Sequence, residues 1–223
     1  MAKLHHTEDN LMAFYYKAVD YFEKNKKHVY IALTIIAVAV AGIIFLNNKR
    51  KANEEKAAVE LSKIQQIYSA GKFQQAINGD SLGLNKGLLA LVNDYGSTES
   101  GELAKIMLAN SYFNLRDFDN AEKYYNDFSG NNILLKVSAE AGEASVKEAR
   151  EQYGDAAKLF EKAANLDSEN PFRDQYLFYA AKNYFRVNEM DKAKKLLEEI
   201  KEKYPKSKVL QESEKYRLAI KNQ

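Results

Sequence analysis

Few residues in this chain are of a kind that does chemistry, and their spacing argues against it. The 223 residues contain three histidines, His5, His6 and His28, and no cysteine. All three histidines lie ahead of the long polar part of the chain, which therefore has no imidazole for acid–base catalysis or zinc ligation. Without cysteine there is no thiol nucleophile, disulfide, thiolate metal site or acylated lipoprotein anchor. The cluster Asp117-Phe118-Asp119-Asn120 offers oxygen ligands, but it lacks the glycine and the closing glutamate of a calcium loop. Between two helical segments, Asp and Asn of this kind cap the next helix. Gly79, Gly83, Gly87, Gly96 and Gly101 punctuate one segment, in neither of the spacings that cradle phosphate. Carboxylates are abundant and none is set apart as an acid–base pair. The expectation is a protein that is not an enzyme and has no catalytic, cofactor or metal site.

The elements that carry these residues are dominated by one uncharged run, Val29 to Leu46, with basic residues on both shoulders. Eighteen residues at helical rise span roughly 27 Å, the thickness of a bilayer's hydrocarbon core. A membrane helix over 28–47 follows, with lipid around residues 29–46. Ala39-Val40-Ala41 has the small-x-small form of a signal-peptidase site, but Ile43-Ile44-Phe45-Leu46 continue the apolar run beyond it. That favours an uncleaved anchor. Lys17, Lys24, Lys26 and Lys27 precede the run and Lys49, Arg50, Lys51 and Lys56 follow it, so the positive-inside rule does not orient the chain. In the preface, residues 1–27, Leu11, Phe14, Tyr15, Ala18 and Phe22 recur at helical spacing after a candidate cap at Thr7. Such a stripe suits the membrane interface, or alternatively docking onto another membrane protein.

Residues 48–223 are large enough for one domain with a real core. Of 33 Lys and Arg against 31 Asp and Glu, five and four precede Asn47, so the domain is nearly neutral. It has no electrostatic footprint for nucleic acid. Two prolines and ten glycines, with abundant Ala, Leu, Lys and Glu, favour helix throughout. No proline or glycine falls between Gly42 and Gly71, where Ala57, Leu61, Ile64 and Ile67 form a stripe, so the apolar helix can run on into the first polar one.

A repeated pattern organises the rest. Tyr112, Phe118, Ala121, Tyr125 and Phe128 return as Tyr153, Ala156, Phe160 and Ala163, and again as Tyr184, Met190, Ala193, Leu197 and Ile200. Ala121, Ala156 and Ala193 are spaced close to the period of about 34 residues that marks tetratricopeptide repeats. A small residue late in the first helix of each pair (Ala109, Ala144, Ala181) lets the second approach, and the residue four after the second alanine inserts between neighbouring pairs. Each pair alone leaves an apolar face bare, and stacking buries it. The expected organisation is a degenerate first hairpin over 52–78, a glycine-punctuated insertion over 79–101 holding a short apolar helix, and repeats over about 102–136, 137–171 and 174–206. A capping helix over 207–221 closes the array. In the middle copy, Ser138 to Gln152 is the most polar first helix. The fold class is all-α: an N-terminal transmembrane helix followed by a superhelix of stacked hairpins.

The order of parts is itself specific: a preface ending Tyr-Phe-Glu-Lys-Asn-Lys-Lys, one anchor, a charged helix, then Asn78-Gly79-Asp80 and Asp94-Tyr95-Gly96-Ser97-Thr98 ahead of the first clear repeat. This resembles the bacterial single-pass tetratricopeptide-repeat proteins of the ancillary SecYEG translocon subunit family (YfgM-like), in particular their Bacteroidetes-type relatives. The resemblance implies a cytoplasmic N-terminus at the inner membrane and a periplasmic repeat domain. It also implies association with the Sec translocon and with periplasmic folding factors, and chaperoning of secreted proteins.

Partners, proteins or peptides, would enter the groove lined by the first helix of each repeat. Repeat phase places Asn110, Phe113 and Asn114 there from the first copy, Ser145 and Glu148 from the second, and Phe178, Lys182, Phe185 and Arg186 from the third. Amides and aromatics suit extended or helical peptides. Of the Lys/Asn set with which some repeat proteins grip a C-terminal carboxylate, Ile106 takes one lysine position and only Asn110 fits. Phase does not show burial, so Phe113 and Phe185 could equally sit under a loop or the capping helix. Two functions remain open: an interaction module that escorts clients, or a scaffold that tethers an unrelated complex without binding clients.

Overall fold

The computed structural model describes residues 2–80, 83 and 85–222, with side chains from Met12 onward. The side chains of His5, His6, Thr7 and Leu11 lie outside the described residues. The described chain is all-α and divides into two compact units, residues 1–52 and 53–223.

The first unit is helix. It belongs to α1 (Ala2–Ser69), which begins upstream of Thr7, so Thr7 does not cap it. From Met12 to Ala52 the apolar side chains, including Tyr30, Ile35, Val38, Ile43 and Phe45, are exposed apart from a half-buried Val29. By length and composition this stretch is able to cross a membrane, and none of its apolar window is buried against protein.

The second unit is built, among the described residues, from the end of α1 and nine further helices: α2 (Phe73–Asn78), α3 (Gly87–Tyr95), α4 (Glu99–Asn114), α5 (Phe118–Asn126), α6 (Ile133–Ala149), α7 (Tyr153–Leu166), α8 (Arg173–Arg186), α9 (Met190–Lys203) and α10 (Leu210–Lys221). Local sequence sets many of their starts. Thr98 Oγ1 accepts from Gly101 N at 3.0 Å at the head of α4. Asp117 accepts from Asn120 N at 3.1 Å at the head of α5, so the Asp-Phe-Asp-Asn cluster is a cap, not a cation loop. Asn132 Oδ1 accepts from Leu134 N and Leu135 N, which starts α6 at Ile133, five residues ahead of Ser138.

Four turns share one geometry. Gly71, Arg116, Glu151 and Asn188 all take left-handed φ, between 61° and 71°. In each, the next N–H reaches back five residues: Lys72 to Ile67 O, Asp117 to Tyr112 O, Gln152 to Lys147 O and Glu189 to Tyr184 O, at 2.9–3.2 Å. This is the Schellman closure, which satisfies the last carbonyls of one helix and reverses the chain. Five residues past each left-handed position stands a fully buried alanine: Ala76, Ala121, Ala156 and Ala193. Identical turns therefore deliver identical small residues to identical packing positions, and the end of α1 with α2 is a hairpin of the same kind. Left-handed backbone costs a non-glycine residue about 1 kcal/mol. Arg116→Gly should accordingly raise the stability of the chain in detergent by about 0.5–1 kcal/mol, read as a higher thermal midpoint. A fall would show that the Arg116 side chain holds something in place.

Helix α6 sits at the middle of the core. Its Val137, Ala141 and Ala144 join one apolar cluster with α7, α8 and α9, including Phe160, Leu177, Leu197 and Ile200. Its Ala139 and Val146 join a second with the end of α1 and α2 to α5, including Ile64, Leu88, Leu108 and Tyr125. Ala109, Ala144 and Ala181 are fully buried, and Tyr125, Phe160 and Leu197 are buried in the inserting position. The short apolar helix α3 contributes Leu88 and Leu91 to the second cluster, which is what the glycine-rich segment shelters. Where α2 stops, a side chain on Gly79 would lie 2.1 Å from the Asn85 carbonyl oxygen, so these glycines let two backbone strands close against each other.

Candidate functional site

The first helices of successive hairpins are α4, α6 and α8, and one face of each carries the residues expected to line a groove. On α6 and α8 that face is a charged cluster. Glu148 accepts from Lys182 Nζ at 2.9 Å and lies 3.8 Å from an Arg186 terminal nitrogen. The Arg186 guanidinium stands 4.6 Å above the Tyr153 ring, and Lys182 Nζ 5.8 Å from the Tyr179 ring centre. Arg186 keeps 42% of its side chain in solvent, the most available cation of the group. On α4, Asn110 Oδ1 accepts from the Tyr125 hydroxyl at 2.5 Å, while Asn114 Nδ2 donates to the Asn110 carbonyl at 2.8 Å. Ser145 Oγ donates to Ala141 O at 2.8 Å and so satisfies itself within α6.

The aromatics are placed differently. Phe178 is buried, only 2% exposed, and belongs to the core instead of the groove. Tyr216 of α10 packs edge-on against both Phe178 and Phe185, with ring centres 5.8 and 5.3 Å apart. The physical reason is the end of the array: α8 has no following hairpin, so the terminal helix covers its apolar flank. Phe113 is half-buried, 5.6 Å from Phe118. Of the nine residues, the structure brings Glu148, Lys182 and Arg186 together and leaves Asn114 exposed on α4. Tyr153 and Tyr179, which hold the cations by their ring faces, were not among the residues that repeat phase placed in the groove, although Tyr153 belongs to the repeated pattern. Spacing alone could have found Tyr179, three residues before Lys182 and seven before Arg186 on one helix face.

Other charged contacts act as clamps. Burial pushes the Glu102 carboxyl up, but hydrogen bonds from Lys105 and Ser129 outweigh this and hold it below the usual carboxylate range. The Ser129 bonds tie the α5–α6 loop to α4. Lys147 of α6 and Arg150 just past its end hold Glu122 of α5, whose carboxyl is lowered chiefly by the Lys147 hydrogen bond. Arg173 donates to Ala164 O at 3.0 Å, Tyr204 Oη at 2.6 Å and Glu199 at 2.8 Å, locking α8 to α7 and α9. Among the described residues no group of three or more histidines, aspartates and glutamates is placed to hold a metal ion. The arrangement offers hydrogen bonds, charge and ring faces to a partner's surface.

Comparisons with known proteins bear on the family and the fold. A family model described as a tetratricopeptide repeat-like domain matches residues 19–165, well over half of the chain. A second, described as a tetratricopeptide repeat, matches residues 175–207. The first match begins ahead of the apolar run, so that run lies inside the matched segment. Among solved structures, one from Podosopora anserina described as "putative kinesin light chain nearly identical TPR-like repeats" has a TM-score of 0.55 at 15% identity, covering 76% of this chain and 87% of its own. A point variant of the same repeats also gives a TM-score of 0.55 at 15% identity, covering 76% of this chain and 86% of its own. At that identity the likeness is one of fold. No curated protein sequence matches the chain.

Proposed function

We propose that this chain, which belongs to the tetratricopeptide repeat-like family, is a membrane-anchored protein-interaction module of a bacterial inner membrane, working beside the Sec translocon. Stacked repeats of this family form protein–protein interaction surfaces, and that much follows from membership. The finer reading rests on the order of parts: an exposed apolar helix followed by a repeat array, with the family match running through both. In this reading α1 stays uncleaved, the array is periplasmic, and it takes polypeptides emerging from the translocon or the folding factors that receive them. Within that reading, the observation that carries the interaction surface is the Glu148–Lys182–Arg186 cluster. It is a charged face on two neighbouring first helices, with Arg186 as its exposed cation, backed by the rings of Tyr153 and Tyr179.

The seating of α10 on Phe178 and Phe185 favours the alternative, a scaffold without clients, because it takes two aromatics out of the groove. Purification of the tagged full chain in mild detergent separates the two. Sec components and soluble folding factors support the first reading, and one fixed unrelated complex supports the second. The triple variant Asn114→Ala, Lys182→Ala, Arg186→Ala should keep its helical signal and lose soluble partners at least ten-fold. Interface arginines and their neighbours contribute about 2 kcal/mol when they are hot spots. Unchanged recovery of those partners would remove the groove from consideration. Intact mass of the same preparation should include the residues before Gly42.

A further inference from the structure

We propose that the edge of the repeat array at which the chain enters it lies against the lipid surface, seated by the exposed side chains of Ile133, Leu134 and Phe172. The proposal rests on the reading of α1 as a membrane anchor and adds a second lipid contact, within the second unit. Contacts define that edge. Glu54, where α1 joins the array, accepts from Ser100 N at 3.2 Å and from the Ser100 hydroxyl at 2.5 Å, at the head of α4. Glu102, in the first turn of α4, takes Ser129 of the α5–α6 loop just ahead of α6. Lys162 near the end of α7 pairs with Glu140 of α6. Arg173 at the head of α8 reaches Ala164 O and the Tyr204 hydroxyl, at the ends of α7 and α9. The heads of α4, α6 and α8 therefore share one edge with the point of entry, and the four left-handed turns lie at the other ends of these helices.

Two apolar projections stand on this edge, and the backbone under each is held in place. Ile133 and Leu134 are exposed at the start of α6, where the Asn132 side chain accepts from Leu134 N at 3.0 Å. Phe172, 52% exposed, follows a turn built on the buried Asn170. The Asn170 side chain accepts the Phe172 N–H at 2.8 Å, and its carbonyl accepts the Arg173 N–H at 3.0 Å. Among the described residues, every other aromatic ring of the second unit is buried or half-buried, so Phe172 alone is left in solvent. Lys136, Lys206 and Lys208 are exposed on the same edge, offset by Asp127, Asp167 and Glu169. Apolar side chains, not net charge, therefore carry the contact.

The occupant follows from chain length. Residues 47–53, all within α1, join the apolar run to Glu54, a helical rise of about 10 Å. The headgroup layer of one leaflet is itself roughly 5–7 Å thick. An edge tethered this closely to the hydrocarbon meets lipid at a far higher local concentration than it meets a freely diffusing protein. Aromatic and aliphatic side chains at the boundary of headgroups and acyl chains bind by burying apolar area. Salt screens charge and not that burial, so the contact should survive high ionic strength.

The chain contains no tryptophan, so a single replacement reports its own surroundings. The full chain is reconstituted as Phe172→Trp, Leu115→Trp or Val38→Trp in phosphatidylcholine–phosphatidylglycerol vesicles, with and without lipid brominated near the headgroup end of one acyl chain. Leu115 is exposed at the opposite edge, beside the Arg116 turn, and Val38 lies in the apolar run. Brominated lipid should quench the Phe172→Trp emission at least two-fold, at low and at molar salt, and leave that of Leu115→Trp unchanged. Adding Ile133→Ser and Leu134→Ser to Phe172→Trp should remove most of the quenching. Equal quenching of Phe172→Trp and Leu115→Trp overturns the seated edge. So does an unquenched Phe172→Trp beside a quenched Val38→Trp, which leaves the anchor standing. An unquenched Val38→Trp overturns the anchor reading itself. A blue-shifted Phe172→Trp emission without quenching means that protein, a second copy or a partner, covers the edge in place of lipid. Quenching lost at molar salt assigns the contact to the lysines and overturns the apolar seat.

Discussion

Gly101→Ala should unfold the first full hairpin. A single added methyl there would lie 1.9 Å from the Tyr95 carbonyl oxygen, 2.6 Å from the Tyr95 carbonyl carbon and 2.8 Å from Gly96 Cα. All three are backbone atoms, so no rotamer change relieves the contact, and α3 and α4 must move apart. That separation would also strain the Thr98 cap and the contact of Glu54 with Ser100, whose hydroxyl donates to the Glu54 carboxylate at 2.5 Å. The expected cost is about 4 kcal/mol or more, in the range reserved for backbone and core disruption. Gly154→Ala is the matched control: Gly154 lies in the first turn of α7, and a side chain there meets nothing within 4 Å. It should be neutral or stabilise by about 0.5–1 kcal/mol, since alanine loses less backbone freedom on entering a helix. Thermal and urea unfolding of the full chain in detergent, followed by circular dichroism, compares the two. Equal midpoints would mean that α3 and α4 are not in contact at Gly101.

Ala121→Trp should be nearly as damaging, for a different reason. Ala121 is fully buried at the opening of α5, in the cluster that holds Leu108, Ala109 and Tyr125. An indole there has no cavity to enter, and overpacking a close-packed core costs about 1–3 kcal/mol or more. The same substitution at Ala193, also fully buried at the matching place in α9, should act alike, because the two positions follow identical turns. Midpoints unchanged from the parent chain would show that these alanines do not sit where helices meet.

Much of the architecture was legible because it is local or periodic. The Val29–Leu46 run is apolar on every side and long enough to cross a membrane, so its helix could be read from composition and length alone. Ala121, Ala156 and Ala193 recur at a spacing that demands the same close approach each time, so stacking could be read from composition and period. The Asp117 cap was legible as well, since it acts on an N–H only three residues away. The start of α6 at Ile133 was missed because a repeat-based boundary was placed ahead of the local signal, the Asn132 cap.

Contacts far apart in sequence belong to the tertiary structure. Phe178 and Phe185 carry the periodicity of a groove face, and only the seating of Tyr216 from α10 shows that one is core and the other half-covered. Nothing in the type or spacing of Arg116 and Glu151 marks a left-handed turn, because neither residue favours it; the closing of the hairpin imposes it. The glycine-rich segment could be recognised as glycine-rich, but that Gly101 abuts the Tyr95 carbonyl is a matter of how α3 meets α4. The sequence determined which helices form and that they must stack, through propensity and period. The tertiary structure decided which faces remain open to a partner, because exposure is settled by the side chains that arrive from elsewhere in the chain.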